Sequence, residues 1–187
     1  MSEIMPQQRQ MTPEQYAEME PDKVLRIMQI IAGALIAGVV MFGGFASVIV
    51  LGQAPVVKPA GQPQVVNHVL PLIAIGVFFL NAILSFIIPK LISRFSVKGV
   101  AKMVQDGTLT DPKELLGRLL SVAQTKTIVA LALVEGAAFF GLIVVIVSKS
   151  FDMLGVVGAS FCFMTAHFPT KMKLARWLEE QQRFLGH

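Results

Sequence analysis

Long apolar blocks separated by polar segments dominate the pattern of this chain. The apolar blocks lie at about residues 25–51, 69–88, 128–147 and 153–168. A helix rises about 1.5 Å per residue, so about twenty apolar residues cover the roughly 30 Å hydrocarbon core of a membrane. The last block is shorter and more polar than the other three. The pattern therefore predicts an all-α, polytopic membrane protein whose membrane domain, residues 24–168, contains four transmembrane helices.

The N-terminal tail, residues 1–23, is polar. Thr12, Pro13 and Gln15 stand in the order of a helix start, with Thr as the N-cap and Pro at the first helical position. We expect a short surface helix over 12–20, ended by Pro21, and disorder in the first 11 residues. The tail holds no apolar stretch of the kind that a cleavable signal peptide needs, so the first span is expected to direct insertion itself.

The longest polar segment, residues 89–127, follows span two, which we expect to end at Pro89. Apolar residues recur at helical spacing on both sides of Asp106-Gly107, which predicts two amphipathic cytoplasmic helices, the second beginning at Asp111. These helices are expected to lie along the membrane surface or to lead into the next span. A small cytoplasmic docking domain is the alternative, although so short a segment buries little core.

Two further segments complete the organisation. Residues 52–68 contain three Pro and two Gly, which predicts a loop between spans one and two. Residues 169–187 mix Trp177 and other apolar residues with Lys, Arg and Glu. That composition predicts an amphipathic C-terminal helix at the membrane interface, with Trp177 as its anchor.

The distribution of basic residues predicts the orientation of the chain. Of its 16 Lys and Arg, 14 lie before span one, between spans two and three, or after span four. Only Lys58 and Lys149 lie in the other two connections. Because basic residues stay in the cytoplasm, both termini and the middle segment are expected on the cytoplasmic side. The protein itself is expected in the inner (cytoplasmic) membrane. The net charge of +4 comes from basic residues that flank the apolar blocks, which fits membrane orientation. No nucleic-acid partner is therefore expected.

The residues that carry most enzyme chemistry are sparse. The chain has one Cys and three His, without metal-ligand spacing, so no metal, cofactor or catalytic site is expected. Cys162 and His167 are five residues apart and do not share a helix face well. Since no nucleophile–base pair or phosphate-binding loop is present, an intramembrane enzyme is rejected.

Glu135 is the one carboxylate inside the block 128–147. A charged residue at the centre of a membrane helix costs roughly 2.5–3.5 kcal/mol and usually faces a bundle interior or a water path. From the predicted topology it lies about 10 Å below the cytoplasmic edge, at the level of Asn81 and Ser160. Burial disfavours the ionised form, so the three side chains together can hold a proton or a monovalent cation. A protonated Glu that only donates an interhelical hydrogen bond is the alternative.

Small residues recur four apart on spans one and three, which favours close helix contacts. The expected packing positions are Gly33, Ala34, Gly38, Ala132, Gly136 and Gly141. Apart from the lipid bilayer, the partners expected from such faces are other membrane subunits or further copies of the chain.

Residues 112–147 resemble the second, carboxylate-bearing helix of the rotary ATP synthase c subunit (the proteolipid). The resemblance lies in Pro112-Lys113-Glu114-Leu115, then Thr127-Ile128, then ALALVEGAAFFGLIVVIV at 130–147. It implies that Glu135 matches the family's ion-carrying carboxylate and that Phe140 stands where the family usually has Tyr. The polar segment before span three is longer than the family's loop, and convergence on a Glu-bearing helix of small residues is the alternative.

Two functions remain from the sequence. The first is a membrane protein that binds a proton or monovalent cation at Glu135, as the resemblance implies. The second is a non-catalytic scaffold or accessory subunit of a larger complex, in which Glu135 pairs with a partner and the cytoplasmic helices dock.

Overall fold

The chain is all-helical wherever its structure is described. The computed structural model describes residues 11–52, 69–149 and 151–186, and within these ranges it contains no strand. The predicted disordered N-terminus and the predicted loop 52–68 lie almost wholly outside the described residues. The helices are α1 (Pro13–Ala17), α2 (Pro21–Gly52), α3 (Val69–Gln105), α4 (Pro112–Ser148), α5 (Leu154–Ala166) and α6 (Lys171–Leu185), with a 3₁₀ turn at Phe151–Met153.

Three of these helices, α2, α3 and α4, are long and apolar enough to cross a membrane. The block predicted as a fourth span forms α5, an apolar helix of 13 residues. In the most apolar stretches of α2 and α3 only 11% of the residues are buried by the rest of the chain. Apolar surfaces of this extent need lipid or another protein around them, which fits a multi-pass membrane protein.

Helix α4 is the centre of the bundle, with α2, α3 and α5 packed around it. Half of its most apolar stretch is buried, far more than in α2 or α3. Small side chains allow its neighbours to approach closely, since its buried residues include Ala130, Ala137, Ala138 and Gly141. The core on the α2 side also contains Ala32, Val39 and Ala46 of α2, Leu131, Val134 and Leu142 of α4, and Met164 of α5.

The helix that contains the predicted span two does not end at Pro89, because α3 runs through it and ends at Gln105. Proline removes one backbone hydrogen bond, but a long helix held by neighbouring helices tolerates that loss. The predicted stop at Gly107 is confirmed: its φ is +68°, and the backbone N–H groups of Thr108 and Leu109 both donate to the carbonyl of Met103.

The predicted helix start at Asp111 is also confirmed, since its side chain accepts a hydrogen bond of 2.9 Å from the N–H of Lys113. From there α4 continues unbroken into the predicted span three. The polar segment 89–127 therefore leads into the spans and does not form separate helices. With 37 residues each, α3 and α4 make a hairpin about 55 Å long, which exceeds the thickness of a bilayer core.

A second core lies where this hairpin extends beyond the apolar stretches. It combines the start of α2, the end of α3, the start of α4 and helix α6. We call this end of the bundle the basic end, because most Lys and Arg residues flank it. Its buried residues are Val24, Leu25, Met28, Val97, Val100, Leu109, Leu115, Leu119, Leu120, Ala123, Leu174 and Leu178. A core forms here because several helices contribute to it, whereas segment 89–127 alone buries little.

The two terminal helices are capped as their sequences indicate. Thr12 accepts from the N–H of Gln15, and the Gln15 side chain accepts from the N–H of Thr12, which confirms the predicted helix start. The predicted end at Pro21 is wrong: α1 stops at Ala17, and Pro21 is the first residue of α2. Thr170 caps α6, which lays Leu174 and Leu178 onto the core of the basic end.

Candidate intramembrane carboxylate site

Glu135 lies on the central helix and faces α2. Its side chain is half-buried. Opposite it stands Gly38 of α2, and a Cβ added there would lie 3.8 Å from Oε1 of Glu135 and 3.8 Å from Cζ of Phe139. The missing side chain at Gly38 thus leaves the room that the carboxyl group occupies.

The surroundings of Glu135 are apolar at the contact between α2 and α4, which we call the seam. The flanking residues Leu131 and Ala138 are fully buried. One turn further along α4, the ring of Phe139 meets Phe42 of α2 edge-on, with centroids 5.3 Å apart. The carboxyl group therefore lies in a groove whose walls offer hydrocarbon and aromatic rings, an environment that favours its neutral form over its charged one.

The two predicted partners of Glu135 are bonded within their own helices. The Asn81 amide donates to the carbonyl of Val77 at 2.9 Å, and the buried hydroxyl of Ser160 donates to Val156 at 2.9 Å. Across the described ranges, no side chain makes a hydrogen bond or salt bridge with Glu135. Each partner keeps an accepting oxygen, but neither bonds to Glu135, whose Oε1 lies beside Gly38 of α2.

This arrangement suits a proton better than a metal cation. A carboxyl group holds a proton by itself, as an O–H donor. A hard cation needs several oxygen ligands, whereas the described neighbours of the carboxyl group are Gly38 and the Phe139 ring, and no described side chain bonds to Glu135. No cluster of His, Cys, Asp or Glu able to hold a metal ion occurs in the searched, described residues.

The predicted packing positions divide into two groups. Gly38 faces Glu135, and a Cβ at Gly141 would lie 3.3 Å from Cγ2 of Val157 and 3.5 Å from Val156, so both glycines sit at helix contacts. In contrast, Gly33 and Gly136 have open space beside them, and Ala34 and Ala132 are exposed. Within one chain these four residues are not helix contacts, because they lie on faces of α2 and α4 that no other described helix covers.

Trp177, the predicted interface anchor, is half-buried on α6. The ammonium nitrogen of Lys126 lies 3.8 Å from the centre of a Trp177 ring. In the sequence, Lys126 was only one of the 14 basic residues that indicate the orientation. Its position at the edge of the block 128–147 was the signal that could have identified it as a partly buried cation. Gly117, which contacts the backbone of Tyr16, was also missed. A Gly inside the apolar stripe LLGRLL was its only signal.

Cys162 and His167 both lie at the C-terminal part of α5. Cys162 is exposed on α5. His167 ends that helix, with Nδ1 2.8 Å from the carbonyl oxygen of Phe163 and its ring centroid 5.1 Å from that of Phe86. These contacts give the histidine a structural role at the end of α5. Comparison with known proteins adds no family to this picture, since no family model, curated protein or solved structure matches the chain.

Proposed function

We propose that the chain is a four-span protein of the inner membrane whose basic end, with both termini, lies in the cytoplasm. The short helix α5 is the fourth span in this proposal. The 14 basic residues that precede span one, separate spans two and three, or follow span four in the sequence support the orientation, since Lys and Arg are retained in the cytoplasm. The amphipathic helix α6 lies at the cytoplasmic interface, where its exposed Met172 and Phe184 reach the lipid.

Within that frame, Glu135 takes up and releases a proton at the seam of α2 and α4. The observation that carries this proposal is a half-buried carboxyl group in an apolar groove, beside Gly38, with no partner among the described side chains. Intramembrane ionisable residues of this kind are functional by default, because a purely structural role does not require so costly a group. The resemblance of residues 112–147 to the c subunit's second helix supports the same role for Glu135.

Labelling with a hydrophobic carbodiimide tests this role, because the reagent modifies protonated carboxyl groups in apolar surroundings. The purified protein is labelled in detergent between pH 5 and 9, and the modified residue is identified by mass spectrometry. We expect Glu135 to be labelled, with a yield that falls as pH rises. Sodium ions should not protect it, since no other described side chain bonds to Glu135.

Glu135→Gln is the specific control, because it keeps the shape of the side chain and removes the titrating group. Asn81→Leu is the second, and it should leave the labelling profile unchanged, since Asn81 bonds to Val77. Protection by sodium would show a cation site in place of a proton site. Absence of labelling at Glu135 over the whole pH range would contradict the proposal.

A second function is favoured by the open faces beside Glu135. Ala132 and Gly136 lie within one turn of it, and both are exposed. A scaffold or accessory subunit would use this face to receive a helix of another copy or another subunit, with Glu135 bonded to that partner. A cysteine at Gly136, in a chain with Cys162→Ser, should then form a disulfide-linked dimer in membranes. A cysteine at Leu72, exposed on α3, is the matched control.

A further inference from the structure

The basic end holds a large cleft between α3, α4 and α6. Its volume is about 900 Å³, which is the size of a pocket for a sizeable organic ligand. The cleft lies at the boundary between the apolar and polar parts of the hairpin, since its lining includes Phe86 and Ala130 as well as Arg94 and Lys98. A ligand in this place would meet both surfaces at once.

Cations dominate the polar wall of this cleft. Lys90, Arg94 and Lys98 follow one another at intervals of four along α3 and so project from one face, and Lys126 joins them from α4. The only acidic residue in the lining is Glu180 of α6. In the part of the chain that the structure describes, none of the four cations makes a salt bridge.

Of the four cations, Lys126 is the one whose charged form is most disfavoured by burial, so it would gain most from a bound anion. Its side chain is half-buried, and the Trp177 ring covers its ammonium group. Burial lowers the pKa of Lys126 to about 8, against the opposing effect of the Glu180 carboxylate. A cation destabilised by burial gains from an anionic ligand, and the phosphate group is the anion that clusters of Lys and Arg bind well.

The apolar part of the lining lies next to the cations along α3 and continues toward the exposed apolar stretch of that helix. Phe86 and Pro89 line the cleft, and Ile83 and Ile87 follow on the same helix with about half of their surface exposed. A ligand can therefore place an anionic group among the four cations. Its apolar part can then lie along the exposed hydrocarbon surface of α3. This combination of cations and hydrocarbon is the chemistry of a phospholipid.

We propose that this cleft binds the headgroup of an anionic phospholipid from the leaflet at the basic end, with the acyl chains along α3. Basic pockets between transmembrane helices recognise anionic lipid headgroups through such clusters. A free phosphate would use the four cations but not Phe86 and the apolar face of α3. An acidic peptide would use the polar wall alone. The proposal does not depend on Glu135, which faces the seam of α2 and α4.

Trp177 supplies a direct probe, because it is the only Trp of the chain and lines the cleft. The full-length protein is reconstituted in phosphatidylcholine vesicles that contain a small fraction of a brominated lipid, which quenches Trp fluorescence on contact. Brominated phosphatidylglycerol should quench Trp177 at a much lower mole fraction than brominated phosphatidylcholine. Equal quenching by the two lipids would overturn the proposal.

Substitution on the cleft wall tests which residues provide the preference. The triple variant Lys90→Gln, Arg94→Gln and Lys98→Gln removes three exposed cations, so the fold is retained. Each basic residue near an anionic membrane surface contributes about fivefold, and the triple variant should lower the preference at least about tenfold. A matched triple variant outside the cleft, Lys102→Gln, Lys113→Gln and Arg176→Gln, removes the same charge and should keep the preference. Equal losses in both variants would show a general surface effect and overturn the site.

A last arm separates the lipid from a soluble anion. Glycerol phosphate is added to the protein in a neutral detergent, and Trp177 fluorescence is followed. We expect a weak response, removed by the triple variant of the cleft, because the soluble compound lacks the acyl chains. A saturating response as strong as that of phosphatidylglycerol would mean that the cleft binds a soluble phosphate compound, and the lipid proposal would be wrong.

Discussion

Gly117 of α4 lies directly against the carbonyl oxygen of Tyr16, and a Cβ at this position would overlap that oxygen. The contact fixes the short helix α1 on the outside of the hairpin. Arg118 strengthens the same contact, since its guanidinium carbon lies 4.7 Å from the centre of the Tyr16 ring. Glu114 holds that guanidinium in place through a salt bridge of 2.7 Å.

Gly117→Ala should detach or displace α1. Alanine is the better helix former, so α4 itself gains from the change, but the added methyl group has no space against a backbone carbonyl. We expect a loss of about 1–3 kcal/mol in the docking of α1, measured as faster chymotrypsin cleavage after Tyr16, the only Tyr of the chain. Gly99→Ala, where the added Cβ meets open space, is the control and should leave cleavage unchanged. Equal cleavage rates in both variants would contradict the contact.

Local sequence signals predicted the helix starts and one stop correctly, but they gave two wrong helix ends, at Pro21 and Pro89. The caps at Thr12 and Asp111 and the stop at Gly107 depend on neighbouring residues only, so the sequence is sufficient to identify them. The continuation of α3 through Pro89 depends on the helices packed around it, which no local signal reveals. The contact of Gly117 is of the same kind, because its partner Tyr16 belongs to a distant segment.

The sequence identified Glu135 but not its surroundings. A single carboxylate in an apolar block is visible without a structure, and counting from the block's edge gives its depth. Depth does not determine which way a side chain points around the helix axis. Asn81 and Ser160 were chosen by depth, whereas the structure turns Glu135 toward Gly38 of α2. The direction of the Glu135 side chain around the axis of α4 depends on how α2, α3 and α5 pack against that helix. The helical pattern of the sequence alone does not give this packing.

The orientation is tested with reporters fused to the full chain. A reporter that is active only in the cytoplasm should give signal when fused after His187 and none when inserted at Lys58. The physical reason is that 14 of the 16 basic residues would then remain in the cytoplasm. A reporter active only outside the cytoplasm, placed at the same two positions, serves as the control. The reverse pattern at both positions would end the proposed orientation.

Gly38→Leu should disturb the seam between α2 and α4. The new side chain must enter the space beside Glu135 and Phe139, whose atoms already lie 3.8 Å from the position of a Cβ. We expect overpacking of about 1–3 kcal/mol, seen as a lower unfolding temperature in detergent. Gly33→Leu is the matched control on the same helix, because the space beside Gly33 is open. If both variants unfold at the same temperature as the wild type, the seam is looser than described.

Lys126 should make the stability of the protein depend on pH. Burial lowers the pKa of Lys126 in the folded protein to about 8, from an ordinary value of 10.5. Between these two values the unfolded chain binds the proton and the folded chain does not, so the free energy of unfolding rises with pH. Below about pH 8 both states are protonated, and the unfavourable burial of the charge is fully present. In a detergent without anionic lipid, the wild type should therefore gain stability from about pH 8 to 10.5.

Lys126→Met and Lys126→Arg separate this effect from other titrations. The methionine variant has no charge to bury, so its stability should lack the gain between about pH 8 and 10.5 that the wild type shows. The arginine variant stays charged over that range, so it should also lack the gain and should be less stable than the methionine variant at every pH tested. Lys113→Met removes an exposed lysine and should keep the profile of the wild type. A methionine variant with the full wild-type gain would show that another group titrates, because only the charge of Lys126 was removed.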